Sequence, residues 1–148
     1  MNTVTKERKI KMKKSNLKGL ILQIILLVLC AVLCIGVKTF FSPCEHKTES
    51  GMWMACHWAG QAVFGISLAM AVNAVMMFIV KDSKIKLGLA LSLIPTAIVT
   101  ALIPNTLINL CMSEQMRCHS VMKPAVIVIS ALTAIAALIY VILNRNED

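Results

Sequence analysis

The sequence predicts an all-α fold, a polytopic four-helix bundle embedded in a membrane. Hydrophobic residues make up 58% of the 148-residue chain and charged residues only 15%, which lies far outside the range of soluble globular domains. Four apolar runs are each long enough to cross ~30 Å of hydrocarbon. These runs, none of which contains Asp, Glu, Lys or Arg, are 19–37, 59–80, 87–110 and 124–143. A single transmembrane domain over 19–143 in a lipid bilayer is therefore expected.

The elements follow from the residues at the ends of these runs. A basic segment, 1–18, precedes the first run, and a short tail, 144–148, follows the last. The first run is long and ends in Lys38-Thr39-Phe40-Phe41 without a small-residue cleavage site, so we predict a permanent helix rather than a secretory signal. Pro95 and Pro104 predict that the third helix is kinked or ends early.

The distribution of basic residues predicts the orientation. Seven lie in 1–18, three in 81–86 and one at Arg145, which together are eleven of the fifteen. The positive-inside rule then places both termini in the cytoplasm and the two longer connections outside. Binding to nucleic acid is not expected, because the basic segment has no interleaved aromatic residues and no folded platform around it.

A short pattern, Met-x-Cys-His, occurs twice. The copies are Met54–His57 and Met116–His119, and each has another cysteine upstream, Cys44 and Cys111 respectively. Each copy is predicted to lie in an outward-facing loop just before a returning span. The two halves of the chain share this layout, which is consistent with a tandem duplication of a helical hairpin.

The four loop cysteines, Cys44, Cys56, Cys111 and Cys118, are predicted to lie where oxidants reach them, which favours disulfides. Four cysteines permit three pairings. Pairing within each loop closes two short loops, whereas pairing between the loops joins the two halves of the chain. Either arrangement would order an outer cap, with a gain of ~2 to 4 kcal/mol per bridge.

Metal or haem binding is an alternative, because Met, Cys and His are ligands that select Cu(I), zinc or haem iron. In an extended stretch alternate residues share a side, so each Met-x-Cys would present two sulfurs. Neither loop has the Cys-x-x-Cys spacing common in zinc sites or the Cys-x-x-Cys-His signature of covalent haem. The candidate ligands are Met54, Cys56, His57, Met116, Cys118 and His119.

Thiol-disulfide exchange is a second alternative. Four helices with a cysteine pair in each outer loop resemble the topology of the DsbB and vitamin K epoxide reductase membrane oxidoreductases. That resemblance implies a reactive Cys-x-x-Cys pair beside a quinone. In this chain eleven residues separate Cys44 from Cys56 and six separate Cys111 from Cys118, so the spacing departs from the pattern of those families.

Within the spans, polar and reactive side chains are few. Cys30 and Cys34 lie one helical turn apart and are predicted to pack as small apolar groups. The absence of ionisable groups from every span argues against an ion-driven transporter. The amides at membrane depth, which are predicted to form interhelical hydrogen bonds, are Gln61, Asn73, Asn105 and Asn109.

Several stretches together resemble a known family. They are Phe41–Cys44, Met54–Ala62, Cys111 and Met116–Cys118. They are similar to small bacterial four-helix membrane proteins grouped as domain of unknown function 4418, over nearly all of 17–143. The resemblance implies the four-helix fold and a bacterial plasma membrane. It transfers no catalytic residue, and the association of such proteins with MacB-like and FtsX-like transporter components implies an accessory subunit.

Taken together, these features predict a non-catalytic accessory subunit, in the setting of an ABC transporter system, with a disulfide-ordered outer cap. The cap is expected to bind a membrane-protein partner or a second copy of the chain. Trp53 and Trp58 are predicted to form an aromatic belt at the outer interface. The alternatives are an oxidoreductase that uses a quinone and an extracytoplasmic Cu(I) or haem site. No Ser-His-Asp set or phosphate loop predicts a hydrolase or kinase.

Overall fold

The computed structural model describes the backbone at 2–42, 51–53, 55–104, 106–108 and 118–145, and the side chains at 17–42, 51–53, 55–104, 106–108 and 120–145. Over these residues the chain forms four α-helices and contains no β-strand. The predicted all-α, four-helix fold is confirmed. The helices are α1 (Asn2–Gly36), α2 (Ala55–Ile79), α3 (Ser83–Leu102) and α4 (Lys123–Arg145), and a π-helical turn, Cys118–Met122, leads into α4.

All four helices are long and apolar enough to cross a membrane, so the chain is a multi-pass integral membrane protein. Helix α1 is longer than a span because the basic N-terminal segment continues the same helix from Asn2. The apolar stretches are Leu17–Gly36, Ala55–Ile79, Ser83–Leu102 and Ser120–Arg145.

Helix α3 begins and ends earlier in the sequence than the predicted span 87–110. It begins at Ser83 because the Asp82 carboxylate accepts a hydrogen bond from a backbone N–H of the first turn, at 3.0 Å. It ends at Leu102, two residues before Pro104, whose ring nitrogen has no hydrogen to donate to a helical carbonyl. The turn between α2 and α3 is therefore short and capped.

The helices form a closed ring in which α1 and α3 each pack against both α2 and α4. Neighbouring helices are antiparallel. We call the end where α1 and α3 end and α2 and α4 begin the loop end, and the opposite end, which holds the α2–α3 turn, the turn end. An up-down-up-down ring of this kind is the usual architecture of a four-helix bundle with sequence neighbours in contact.

Many of the side chains that face the inside of the ring are small, and many large apolar side chains face outward. The buried set includes Ala59, Ala74, Ala90, Ala97 and Ala137. In contrast, Val72, Ile98 and Leu132 are 55%, 51% and 49% exposed. Small residues let helix backbones approach closely, while lipid is as apolar a surrounding as a protein core. This distribution fits a bundle whose outer surface lies in lipid.

Two apolar clusters fill the core, separated by a layer of hydroxyl side chains. The loop-end cluster consists of Val37, Cys56, Ala59, Val63, Ile103, Met122 and Val126. The second cluster includes Leu26, Met70 and Leu93 and continues to Tyr140 near the turn end. Between the two, in the order of residues along α2, α3 and α4, lie the fully buried hydroxyls of Ser67, Thr100, Ser130 and Thr133.

Two side-chain contacts join neighbouring helices in the core. The Thr100 hydroxyl lies 3.6 Å from the Met70 sulfur and connects α3 to α2. Closer to the turn end, the Gln23 amide donates a hydrogen bond of 2.8 Å to the Tyr140 hydroxyl and connects α1 to α4. Because lipid offers no competing hydrogen bond, such contacts favour one helix arrangement over others.

Candidate functional site at the loop end

The last three residues of the first Met-x-Cys-His copy, Ala55–His57, are helical and begin α2. Cys56 and His57 belong to the first turn of this helix, which begins at Ala55, four residues before the start of the predicted span. Cys56 shares a helix face with Ala59 and Val63, and all three are fully buried in the loop-end cluster. Burial of that face explains the early start, because it extends the contact of α2 with the other helices.

The helical conformation of Cys56 bears on the metal ligands predicted for the first copy. Alternate residues share a side only in an extended chain, and Cys56 is helical. The strand-like alternation that would bring the Met54 and Cys56 sulfurs to one side does not extend through the helical Cys56, and their role as metal ligands stays a prediction. Met54 itself lies outside the described residues.

Two tryptophans hold the His57 ring. The Trp53 and His57 rings are stacked, with centroids 4.4 Å apart and an interplanar angle of 18°. Trp58 meets the same imidazole edge-on, at 6.0 Å and 84°. Aromatic pairs of this geometry contribute about 0.5 to 1.5 kcal/mol beyond the area they bury. The tryptophans thus fix the orientation of the half-buried His57 at the rim of the bundle.

A second contact set joins the end of α1 to α2. The Lys38 ammonium donates a hydrogen bond of 3.1 Å to the Gln61 side-chain oxygen and lies 4.7 Å from the centre of the Phe64 ring. Gln61 lies one turn beyond His57 on the same face of α2. Gln61 is predicted to form a hydrogen bond between helices, and the partner it finds is Lys38, which lies just beyond the end of α1. The sequence pattern around Lys38 does not indicate this contact.

Phe41 closes the same end of the bundle. Residues 37–40 form a turn in which the Gly36 carbonyl accepts hydrogen bonds from the backbone N–H groups of Phe40 and Phe41, both at 2.9 Å. This turn folds the Phe41 ring onto the Cα of Gly36, so that a Cβ at that position would overlap the ring. The ring also packs against the loop-end cluster. Only glycine permits this close approach.

The second Met-x-Cys-His copy arrives at the same end. Its last residues begin the π-helical turn Cys118–Met122, and Met122 is fully buried in the loop-end cluster together with Cys56. A π-helical turn is uncommon and often marks a functional site. The ends of all four helices therefore meet in one packed cluster, into which both copies lead.

Comparison with known proteins was informative at the level of family. A family model described as "Domain of unknown function (DUF4418)" matches residues 26–143, which include the last part of α1, all of α2 and α3, most of α4 and both loop-end connections. The chain belongs to the DUF4418 family. This confirms the resemblance predicted from the sequence. A search of curated proteins and a search of solved structures each found no match.

Membership of the DUF4418 family assigns no role to the remaining predicted residues. Cys44, Cys111 and Met116 lie outside the described residues, as do the side chains of Cys118 and His119. The predicted disulfides and the predicted metal-ligand set therefore stay predictions. Among the described side chains, no group of three or more His, Cys, Asp or Glu residues is close enough to hold a metal ion.

The two cysteines inside the first span have a simple environment. Cys30 is fully buried in the cluster that extends toward the turn end, and Cys34 is half-buried one turn further along α1. Both are free thiols. Their positions agree with the prediction that they pack as small apolar groups.

Proposed function

We propose that this protein is a non-catalytic accessory subunit that binds a partner membrane protein at its loop end. The proposal rests on one observation, which is that large apolar side chains are exposed at the loop end, at or next to the ends of three helices. Phe40, Met52, Trp58 and Leu107 are 77%, 69%, 60% and 61% exposed. They follow α1, precede α2, begin α2 and follow α3. Aromatic residues and methionine are enriched at the centres of protein interfaces.

The rigid support beneath these side chains strengthens the proposal. The loop-end cluster joins all four helix ends, and Lys38 connects α1 to α2 through Gln61. The Trp53–His57 stack fixes the entry to α2. A surface that is already ordered loses less conformational entropy on binding. A preorganised apolar surface is thus suited to docking a partner.

The proposed orientation places the loop end outside the cytoplasm. The basic residues of 1–18 and 81–86 lie toward the turn end, which the positive-inside rule assigns to the cytoplasm. We propose the plasma membrane of a bacterial cell as the location and an ABC transporter system as the assembly. The partner would contact the loop end from the outer leaflet or the outer aqueous phase.

We further propose that the four loop cysteines, Cys44, Cys56, Cys111 and Cys118, are structural and form disulfides. Cys56 is fully buried among apolar side chains, where a soluble thiol donor or a quinone would have poor access. A buried bridge that orders the cap suits this position better than an exchanging one. Neither the described side chains nor the family match favours the thiol-disulfide alternative or the Cu(I) or haem alternative.

Site-specific photocrosslinking in native membranes tests the partner-binding role. A photoreactive amino acid replaces Trp58 in one variant and Phe40 in another. Val72, which is 55% exposed in the middle of α2, is the matched control because it faces lipid at a similar exposure. We expect a discrete adduct with one membrane protein from the first two positions and none from Val72.

The masses of the adducts separate the possible outcomes. An adduct of twice the mass of the chain would identify the partner as a second copy. Lipid adducts alone from all three positions would contradict the proposal and leave Trp58 and Phe40 as an interfacial aromatic belt.

A further inference from the structure

A polar cavity of about 220 Å³ opens at the turn end, far from the loop-end site. Its walls come from α1, the α2–α3 turn, the start of α3 and the end of α4. The volume is well above the ~10–15 Å³ that a single water requires, so the cavity has room for a polar ligand group.

The charged side chains that line the cavity, among the described residues, are basic. They are Lys81 and Lys86, which lie on either side of Ser83, another lining residue. The nearby Asp82 carboxylate accepts a hydrogen bond from the Lys84 backbone N–H and so caps α3. Ser83 begins α3, whose N-terminus carries the positive end of the helix dipole. Both contributions favour an anion.

The floor of the cavity adds neutral hydrogen-bonding groups. Gln23 and Tyr140 line it and are only 5% and 3% exposed. Because the Tyr140 hydroxyl accepts the 2.8 Å hydrogen bond from Gln23, it retains its own proton, which an anionic oxygen in the cavity would accept. Asn144 is a further lining residue, and its amide donates to the Tyr140 carbonyl at 2.9 Å.

The cavity lies near the end of an apolar stretch, which is the level at which lipid phosphates are expected. Gly19 and Leu20 line it and lie near the start of the first apolar stretch, Leu17–Gly36. Leu20 is 46% exposed on the outside of the ring, so the cavity borders the lipid-facing surface. Basic pockets between transmembrane helices at this level are suited to lipid headgroups.

We propose that this cavity binds a phosphate group, presented either by an anionic lipid headgroup or by soluble phosphate. Lys81 and Lys86 supply the charge, and Ser83 and Tyr140 supply hydroxyl donors. The site does not depend on the loop-end function.

The test is binding to the purified full-length protein, measured by native mass spectrometry and by thermal stability in detergent. The probes are dioleoyl phosphatidylglycerol, dioleoyl phosphatidylcholine and inorganic phosphate. The variant is Lys81→Gln with Lys86→Gln. The matched control is Lys18→Gln with Lys84→Gln, which removes the same charge from the same end through residues that do not line the cavity.

We expect phosphatidylglycerol to bind in preference to phosphatidylcholine, and the cavity variant to weaken this binding about thirtyfold, since each lysine near an anionic surface contributes roughly fivefold. The control should stay close to wild type. If millimolar inorganic phosphate displaces the lipid, the site recognises free phosphate as well; if it does not, the headgroup is the ligand.

Two results would overturn the proposal. One is that phosphatidylglycerol binds no more tightly than phosphatidylcholine and inorganic phosphate does not bind. The other is that the cavity variant and the control weaken binding equally. If the double variant fails to fold, the comparison of Lys86→Gln with Lys84→Gln decides in the same way, with an expected difference of about fivefold.

Discussion

Replacement of Gly36 by alanine should destabilise the bundle, because the Phe41 ring occupies the space that the new methyl group needs. The ring would have to shift to admit the methyl group, and a shift would reduce its contact with the loop-end cluster. Overpacking of this kind costs about 1 to 3 kcal/mol. Alanine regains up to about 1 kcal/mol of helix propensity. With this gain subtracted, the expected net loss in the free energy of unfolding is up to about 2 kcal/mol.

The matched control is Gly65→Ala in α2. A Cβ at Gly65 meets no atom within 4 Å, so only the gain in helix propensity applies there. We expect this variant to be as stable as the wild type or more stable by up to about 1 kcal/mol. The assay is reversible unfolding of the purified protein in detergent, followed by circular dichroism.

A double-mutant cycle with Phe41→Ala completes the test. Removal of the ring should cost about 1 to 2 kcal/mol by itself, since Phe41 is only half-buried and full burial of Phe accounts for about 3 to 5 kcal/mol. In that background Gly36→Ala should no longer destabilise the protein. If Gly36→Ala costs the same with and without the ring, or is as harmless as Gly65→Ala, the Gly36–Phe41 contact does not close the loop end.

Two further pairs of substitutions test the core and the turn. Ser130→Ala should leave stability unchanged or raise it by about 1 kcal/mol, because this buried hydroxyl has no hydrogen-bond partner among the described residues. Ser67→Ala should lower stability by about 0.5 to 1 kcal/mol, because it removes the 2.9 Å hydrogen bond to the Phe64 carbonyl. Equal effects of the two substitutions on unfolding in detergent would contradict this expectation. Asp82→Ala should cost about 1 kcal/mol by removing the cap of α3, and Asp82→Asn, which keeps an acceptor oxygen, should stay near wild type; a large loss in both would assign the effect to charge instead.

The architecture could be predicted from the sequence because lipid imposes a simple rule. A span must bury its backbone in a helix and present apolar side chains, so long uncharged runs reveal the helices directly. The family resemblance was accessible for a similar reason, since its residues lie in short continuous stretches. Contacts between distant residues were not accessible. Gln23 and Tyr140 are 117 positions apart, and nothing local in either segment indicates that they meet.

The start of α2 and the contacts at the loop end were harder to predict from the sequence, because they depend on packing between helices. Hydropathy places the start of a helix where the apolar run begins, but α2 starts at Ala55 because burial of Cys56 extends its packing face. The role of Lys38 depends on how the chain turns after α1, which is set by backbone hydrogen bonds to the Gly36 carbonyl. Such features depend on tertiary packing, which overrides local propensity at helix ends.

We propose that the loop end is an outward-facing, disulfide-ordered and non-catalytic cap. The decisive measurement maps the state of every cysteine by mass spectrometry. Intact cells are first treated with a membrane-impermeant thiol reagent, and the protein is then unfolded in denaturant, so that the buried Cys56 is reached, and labelled with a second reagent with and without prior reduction. We predict that Cys44, Cys56, Cys111 and Cys118 are all found in disulfide-linked peptides and gain the second label only after reduction. Labelling of these cysteines in denaturant without reductant would show free thiols and contradict the disulfide-ordered cap.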